Sequence, residues 1–262
     1  MTDLLVIPDP HAHPEHDNDR FEAVGNYIVD KQPDIVVCLS DFADMPSLSS
    51  YDRGTMGFEG RRYKRDIEAV IGAQERLFGP INRYNKRKAR NKEKQYKPRM
   101  VMTLGNHEDR INRVVNHQPE LHGTIGIFDL QYEEFGWEVY PFLQPVIIHE
   151  IAFAHYFVSG VASRPISGEN IGKSLIAKNL MSSIQGHSHV YDHSERSRAD
   201  GMKLFGMSAG CFSHPEQIEG WNAATVRMWW HGVVMLEGID RWPGYYESKQ
   251  EITLDKLMRE YL

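Results

Sequence analysis

Residues 4–13 read LLVIPDPHAH: four apolar residues, then Asp9, His11 and His13 interleaved with Pro8, Pro10 and Ala12. A short apolar run closed by turn-forming residues reads as a buried strand. The polar side chains therefore stand just past its carboxyl end. Two units overlap there. Asp9-x-His11 pairs a carboxylate with an imidazole, and His11-x-His13 pairs two imidazoles. Both are metal-capable, so the rest of the chain must choose between them.

Outward from this stretch, residues 18–31 follow helical spacing through Phe21, Val24, Ile28 and Val29, and residues 35–39 (IVVCL) read as a second strand. Strand–helix–strand is the parallel unit of an α/β protein. Further strands are expected at 100–104, 146–149, 151–155, 183–186, 203–208 and 225–236. Further helices are expected at 66–95, where Gly79-Pro80 introduces a kink or break, at 169–181, and at 252–262 within a C-terminal tail, 250–262.

Four later stretches repeat the property of the first. VVCL leads into Ser40-Asp41-Phe42-Ala43-Asp44, and VMTL into Gly105-Asn106-His107-Glu108. IAFA leads into His155, and Ile184-Gln185 into Gly186-His187-Ser188-His189. Ligands of α/β sheets bind at the carboxyl ends of strands, so five such ends imply one convergent site. Carboxylates, imidazoles and an amide oxygen, without thiolate, suit Mn²⁺, Fe or Zn²⁺. The set is too large for one ion and sufficient for two. Two ions about 3.5–4 Å apart activate a water and clamp the oxygens of an in-line phosphoryl displacement.

The ordered series DPH, SDFAD, GNHE, His155, GHSH resembles the calcineurin-like metallophosphoesterase superfamily, over residues 9–189. The loop ADMPSLSSYD (43–52) and the stretch GNHEDR also resemble phage-encoded members. The resemblance implies an α/β fold, a four-layer αββα sandwich of two mixed β-sheets flanked by helices, as one domain over 1–262 with a helical insertion at 66–98. It implies that Asp9, His11 and His189 hold one metal, that Asn106, His155 and His187 hold the other, and that Asp41 bridges them. Mn²⁺ is the first candidate, with Fe, Zn or Ni as others. His107 then steadies or protonates the reacting oxygens, and Asp44 fixes the His107 imidazole.

On this reading Asp9-x-His11 is the working pair. A His-x-His hydrolase of the amidohydrolase type needs a different later set of Lys, His and Asp. His13 is left over and is read as a solvated loop residue. Two positions depart from the family pattern. Ser40 stands where a Gly usually precedes the bridging Asp, which is acceptable if its φ is negative. Met45 stands where the protein-phosphatase branch carries a phosphate-gripping Arg. That favours diester or nuclease chemistry over a phosphomonoesterase, with a metal-containing scaffold lacking turnover as the third reading.

Composition is that of an ordinary globular protein, 41% hydrophobic and 25% charged. No apolar run approaches the roughly 18 residues of a membrane span, no signal peptide is apparent, and Cys38 and Cys211 make no disulfide framework. The expected setting is a reducing cytoplasm, that of the host if the protein is phage-encoded. The net charge of −6 hides a basic window: residues 83–99 hold nine Lys and Arg against Glu93. Its readings are a solvated helix face or a nucleic-acid contact, with Tyr84 and Tyr96 as stacking candidates. The partner expected at the site is a phosphate ester. Trp229 and Trp230, within the expected 225–236 strand, should face opposite sides of a sheet.

Overall fold

The structure, a computed structural model, describes residues 1–51, 53–217 and 223–262. Residue 52, the last of the 43–52 loop, lies outside them. The chain opens with β1 (Leu4–Ile7), α1 (Asp19–Lys31), β2 (Ile35–Cys38), α2 (Tyr63–Arg90) and β3 (Arg99–Thr103). Next come α3 (Asp109–His117), α4 (Tyr132–Phe135), β4 (Glu138–Tyr140), β5 (Val146–Ile148) and β6 (Ile151–Ala154). It closes with α5 (Ile171–Asn179), β7 (Ser182–Gln185), β8 (Tyr191–Ser197), β9 (Lys203–Ala209), β10 (Gly232–Glu237), β11 (Ser248–Thr253) and α6 (Leu254–Tyr261).

Two mixed sheets form. One has six strands in the order β11-β10-β1-β2-β3-β4, and the other five, in the order β5-β6-β7-β9-β8. β1, β2, β3 and β4 run parallel, as do β6, β7 and β9. Strand alternation divides the core. Leu5, Ile7, Val36, Cys38, Val233 and Met235 face the helices, where they meet Val24 and Ile28 of α1, Leu77 and Ile81 of α2, and Leu257 of α6. Leu4, Val6, Val37 and Val234 face the other way and pack on Phe153, Ile184, Phe205 and Met207 of the second sheet. Both faces of β1 and β2 are buried, as parallel central strands require. α5 covers the outer face of the second sheet, its Gly172 lying against Gly206 of β9. The fold is thus an α/β four-layer sandwich.

Several expectations needed revision. β4, β8 and β11 were not anticipated from sequence. All three are sheet edges, and sequences such as YDHSERS and SKQEIT carry no apolar run because one side meets solvent. The 225–236 strand shortens to β10, and Val226–Met228 is a 3₁₀ turn. α2 passes unbroken through Pro80 and ends at Arg90, with residues 91–98 non-helical. Among the described residues no helix is long and apolar enough to cross a membrane.

α2 begins at the carboxyl end of β2, where Asp66 accepts a hydrogen bond from Ser47 N. It delivers the chain to the opposite end of the sheet, where Arg99 N reaches Asp34 O. At 1.5 Å per residue, Lys86 lies roughly 30 Å along the helix from Asp66.

Candidate metal centre

The carboxyl ends of β1, β2, β3, β6 and β7 meet at one end of the sandwich. The first two loops are stitched by backbone hydrogen bonds that prolong the β1–β2 pairing: His11 N to Asp41 O at 2.9 Å, Ala12 N to Phe42 O at 2.7 Å and Asp44 N to Ala12 O at 3.2 Å. Arg20 of α1 lies beneath them. Its guanidinium donates to the carbonyls of Pro10 (2.8 Å), His11 (3.0 Å) and Phe212 (2.9 Å). Burial lowers its pKa to about 10.

Three groups of side chains converge closely enough to hold a metal ion: Asp9, His11 and His189; Asp41, His155 and His187; and His11, Asp44 and His107. The first two abut, with His155 Nδ1 lying 3.4 Å from Asp9 Oδ1. In the second group the protons can be placed. His155 Nδ1–H donates to Leu39 O at 3.0 Å, so the neutral ring keeps a lone pair on Nε2. That lone pair lies 2.9 Å from Asn106 Oδ1, 3.2 Å from His187 Nδ1 and 3.3 Å from Asp41 Oδ2. The two oxygens are acceptors facing that lone pair, which is repulsive without a cation, so this donor set fits a divalent ion.

In the first group His11 Nδ1 lies 2.7 Å from Asp44 Oδ1, which turns Nε2 toward His189 Nε2 at 3.2 Å.

Electrostatics agree. Burial, reinforced by neighbouring Asp41, pushes the Asp9 carboxyl well above its usual range. Burial also raises Asp41, but His107 above all, by its ring and by its backbone N–H, outweighs it and holds that carboxyl low. Burial lowers His155, His187 (to about 3) and His189, which keeps them in the neutral form a metal binds.

The glycines of GNH and GHSH are explained by close approach. A Cβ on Gly105 would stand 2.0 Å from Asp41 Oδ1, and one on Gly186 2.1 Å from Asp9 Oδ2. Each carboxylate is then pinned by the backbone N–H two residues on or one residue on: Asp41 Oδ1 by His107 N at 2.9 Å, Asp9 Oδ2 by His187 N at 2.9 Å. Left-handed backbone clusters here, with φ of 37° at Asp9, 46° at His11, 48° at Asp41, 67° at His187 and 60° at His189. Such strain costs about 1–3 kcal/mol per residue and marks functional sites. Ser40 belongs to this set with φ 58°, so the expected negative φ does not hold. The serine adopts the conformation that a glycine would take without strain.

His107 stands between the groups. Its Nδ1–H donates to the backbone carbonyl of Asp44 at 2.7 Å, and its Nε2 lies 3.0 Å from Arg110 Nη2. Burial and Arg110 lower its pKa, but Asp41 and Asp44 more than compensate, and it ends raised. Asp44 thus sits beside both imidazoles, with its carbonyl on His107 and its carboxylate on His11.

The chain is similar to the Gene 54 protein of Mycobacterium phage L5. The two are 25% identical over 241 residues, covering 89% of this chain and 88% of that protein. No family model matches.

Other residues of the centre escaped the sequence reading. His13 is buried, at 4% exposure, not solvated; its Nε2 faces Asp44 Oδ2 at 3.8 Å, an oxygen with no hydrogen-bond partner among the described residues. The reason is that residues 11–13 continue the sheet pairing instead of looping into solvent. Trp229 is not on a strand; its ring packs edge-on against His189, with centroids 4.1 Å apart, and Trp230 packs on Tyr191. Glu108 ties two loops together by accepting from Ala43 N, Gly105 N and Tyr132 OH. Arg20 did leave a signal, as a cation in line with Val24 and Ile28 on the apolar face of α1. Beside Asn106 and His187 opens a cleft of about 220 Å³, walled by Arg110, Arg113 and Tyr156.

Proposed function

We propose that this protein is a dinuclear metal-dependent phosphohydrolase of phosphodiesterase or nuclease type. The observation that carries the reading is the pair of abutting donor groups, Asp9/His11/His189 and Asp41/His155/His187, with His107 standing between them. Asn106 would complete the second group and Asp41 would lie between two ions. Divalent ions held there, Mn²⁺ first, would supply Lewis acidity and a water of lowered pKa.

The chain's own residues do the rest. Asp44 O holds His107 Nδ1, which leaves Nε2 as the atom that delivers a proton or hydrogen bond to the reacting oxygens. Burial and Arg110 oppose protonation, but Asp41 and Asp44 raise the His107 pKa on balance, which favours the ring form carrying a proton on Nε2. Burial of the donor set excludes bulk water and strengthens every charge interaction inside.

Met45, fully buried, offers no side-chain charge to a phosphate, which favours diester over monoester. The specific observation on the monoester side is Arg110, a second cation 3.0 Å from His107 Nε2.

The basic segment enters the proposal as a polynucleotide contact. Arg83, Lys88 and Arg99 pair with Glu22, Glu93 and Glu138, and the Tyr96 hydroxyl is bonded to Pro33 O. Lys86, Arg87, Arg90, Lys92, Lys94 and Lys97 are exposed. Lys86 lies roughly 30 Å along α2 from Asp66, and cations at that reach serve a polymer, not a small ester. The setting we infer, from the phage relative, is the host cytoplasm.

The test is Mn²⁺-supplemented hydrolysis of matched chromogenic mono- and diesters, with His107→Ala and Asp41→Asn as controls. Diester preference lost in both variants supports the reading. Monoester preference moves it to a phosphatase. Full activity and metal content in Asp41→Asn would sink it.

A further inference from the structure

Arg110 and Arg113 lie one turn apart on α3, and both wall the cleft beside Asn106 and His187. They differ in how they are held. Arg110 is 7% exposed, and its Nη1 is fixed on two backbone carbonyls, Asp44 O at 2.9 Å and Met45 O at 3.1 Å. Its Nη2 stands at His107 Nε2. Both Nη1 donors are thereby engaged on carbonyls; Nη2 has only His107 Nε2 beside it, which accepts from it only in the neutral ring, and Nε has no partner among the described residues. No carboxylate pairs with this buried cation within salt-bridge distance among the described residues. Arg113 has a side chain 54% exposed; it donates to Asn106 O at 3.1 Å and lies 3.7 Å from Asp109.

A buried cation held on carbonyls, with spare donors and no counter-ion of its own, is built to receive an anion. The guanidinium is planar and forked, which suits two phosphate oxygens at once. Its Nη2 and His107 Nε2 are near enough to meet on one phosphoryl oxygen. Arg113 is anchored elsewhere, on Asn106 O, while Arg110 is anchored on Asp44 O and Met45 O, so the two forks face different parts of the cleft and suit adjacent groups.

Resting on the phosphohydrolase reading, we propose that the cleft is a two-phosphate subsite. Arg110 holds the phosphoryl group under attack, in place of the arginine absent at position 45. Arg113 holds an adjacent phosphate. The substrate class is then an ester or anhydride with a second phosphate next to the scissile one, as in a polynucleotide strand or a polyphosphate.

The experiment is calorimetric titration of Mn²⁺-loaded protein with inorganic phosphate, pyrophosphate and a 5′-phosphorylated dinucleotide, using wild type, Arg110→Gln and Arg113→Gln. Metal content and thermal midpoint are measured alongside. Arg110→Gln should weaken inorganic phosphate at least tenfold with metal content unchanged. Arg113→Gln should leave inorganic phosphate within twofold and weaken a two-phosphate probe about tenfold. Loss on pyrophosphate alone assigns a polyphosphate, and loss on the dinucleotide assigns a nucleic-acid strand. Because Arg110→Gln also frees two carbonyls and can unfold the loop, the exposed Arg113→Gln carries the decision if the first variant's midpoint collapses. Phosphate affinity unchanged in a folded Arg110→Gln, or equal effects of Arg113→Gln on all three probes, overturns the subsite. If wild type hydrolyses no ester yet phosphate binding depends on Arg110, the subsite stands and the hydrolase reading falls.

Discussion

Asp44 Oδ1 lies 2.7 Å from Nδ1 of His11, and neither side chain reaches solvent. The contact fixes which nitrogen of His11 carries the proton and which faces Asp9 and His189. A carboxylate behind a metal-facing imidazole orients the ring and raises its basicity.

Asp44→Ala is therefore expected to weaken ion binding at the Asp9/His11/His189 group by about 10–100-fold. The Asp41/His155/His187 group should keep most of its affinity. Asp44→Asn, which can still accept from Nδ1–H, should lose less. A Mn²⁺ isotherm that resolves two classes of site decides this. Equal weakening of both classes would show that Asp44 supports the loops in general and not His11 in particular.

The two motif glycines should be intolerant of a single methyl group. In Gly105→Ala the new Cβ meets Asp41 Oδ1 and also Asp41 N at 2.6 Å, and backbone cannot swing away. In Gly186→Ala it meets the Asp9 carboxylate pinned by His187 N. Each variant should lose about 1–3 kcal/mol of stability. Gly72, midway along α2, has nothing within 4 Å of its absent Cβ. Gly72→Ala should gain about 0.5–1 kcal/mol. Urea midpoints of the three variants provide the comparison, and equal loss in all three would contradict the contact argument.

The centre was more legible in sequence than the fold around it, for a physical reason. Asp9, Asp41, Asn106 and His155 each follow a buried parallel strand whose apolar run is easy to see and whose end fixes where the next side chain stands; the strand before His187 is SSIQ, and there the GHSH motif carried the signal. β4, β8 and β11 are edges, half in water, so their composition is that of a loop. His13 and Arg110 were missed because their roles depend on what comes from elsewhere. His13 meets an oxygen of Asp44, and Arg110 meets carbonyls of residues 44 and 45, over separations that local spacing does not encode. Ser40 shows the limit of a family pattern: the left-handed turn is kept while the glycine is not.

Asp66 should make stability fall as pH rises. Its carboxyl is pushed up to about 6 by burial, with Asp44 adding to the shift and Ser47 opposing it; one oxygen has no hydrogen-bond partner among the described residues. A folded-state pKa above the unfolded value near 4 means the folded chain binds the proton more tightly. The contribution is fully present below pH 4 and is lost through pH 6, by roughly 2–3 kcal/mol at about 1.4 kcal/mol per unit. Asp66→Asn should remove this slope and be the more stable protein at neutral pH. Urea unfolding of EDTA-treated wild type and variant between pH 4.5 and 7.5 isolates the difference, free of metal release. Parallel curves would mean that Asp66 is ionised in the fold without penalty.

Metal should stabilise the protein through the same charges that strain it when metal-free. Asp9 is a carboxyl whose ionised form the fold disfavours, because it is buried and faces Asp41. A divalent ion bound only to the folded chain adds RT ln(1 + [M]/Kd), about 2.7 kcal/mol at a hundredfold excess over Kd. For a chain of this length that is a rise of roughly 5–10 °C in the midpoint. Mn²⁺ should raise the midpoint and EDTA should reverse it. Asp9→Asn separates the charge effect from a general loss of fold. With no ionised carboxylate to bury, the metal-free variant should melt at or above metal-free wild type, and its midpoint should respond less to Mn²⁺. A variant that melts lower than metal-free wild type and still gains the full increment from Mn²⁺ would remove Asp9 from the donor set.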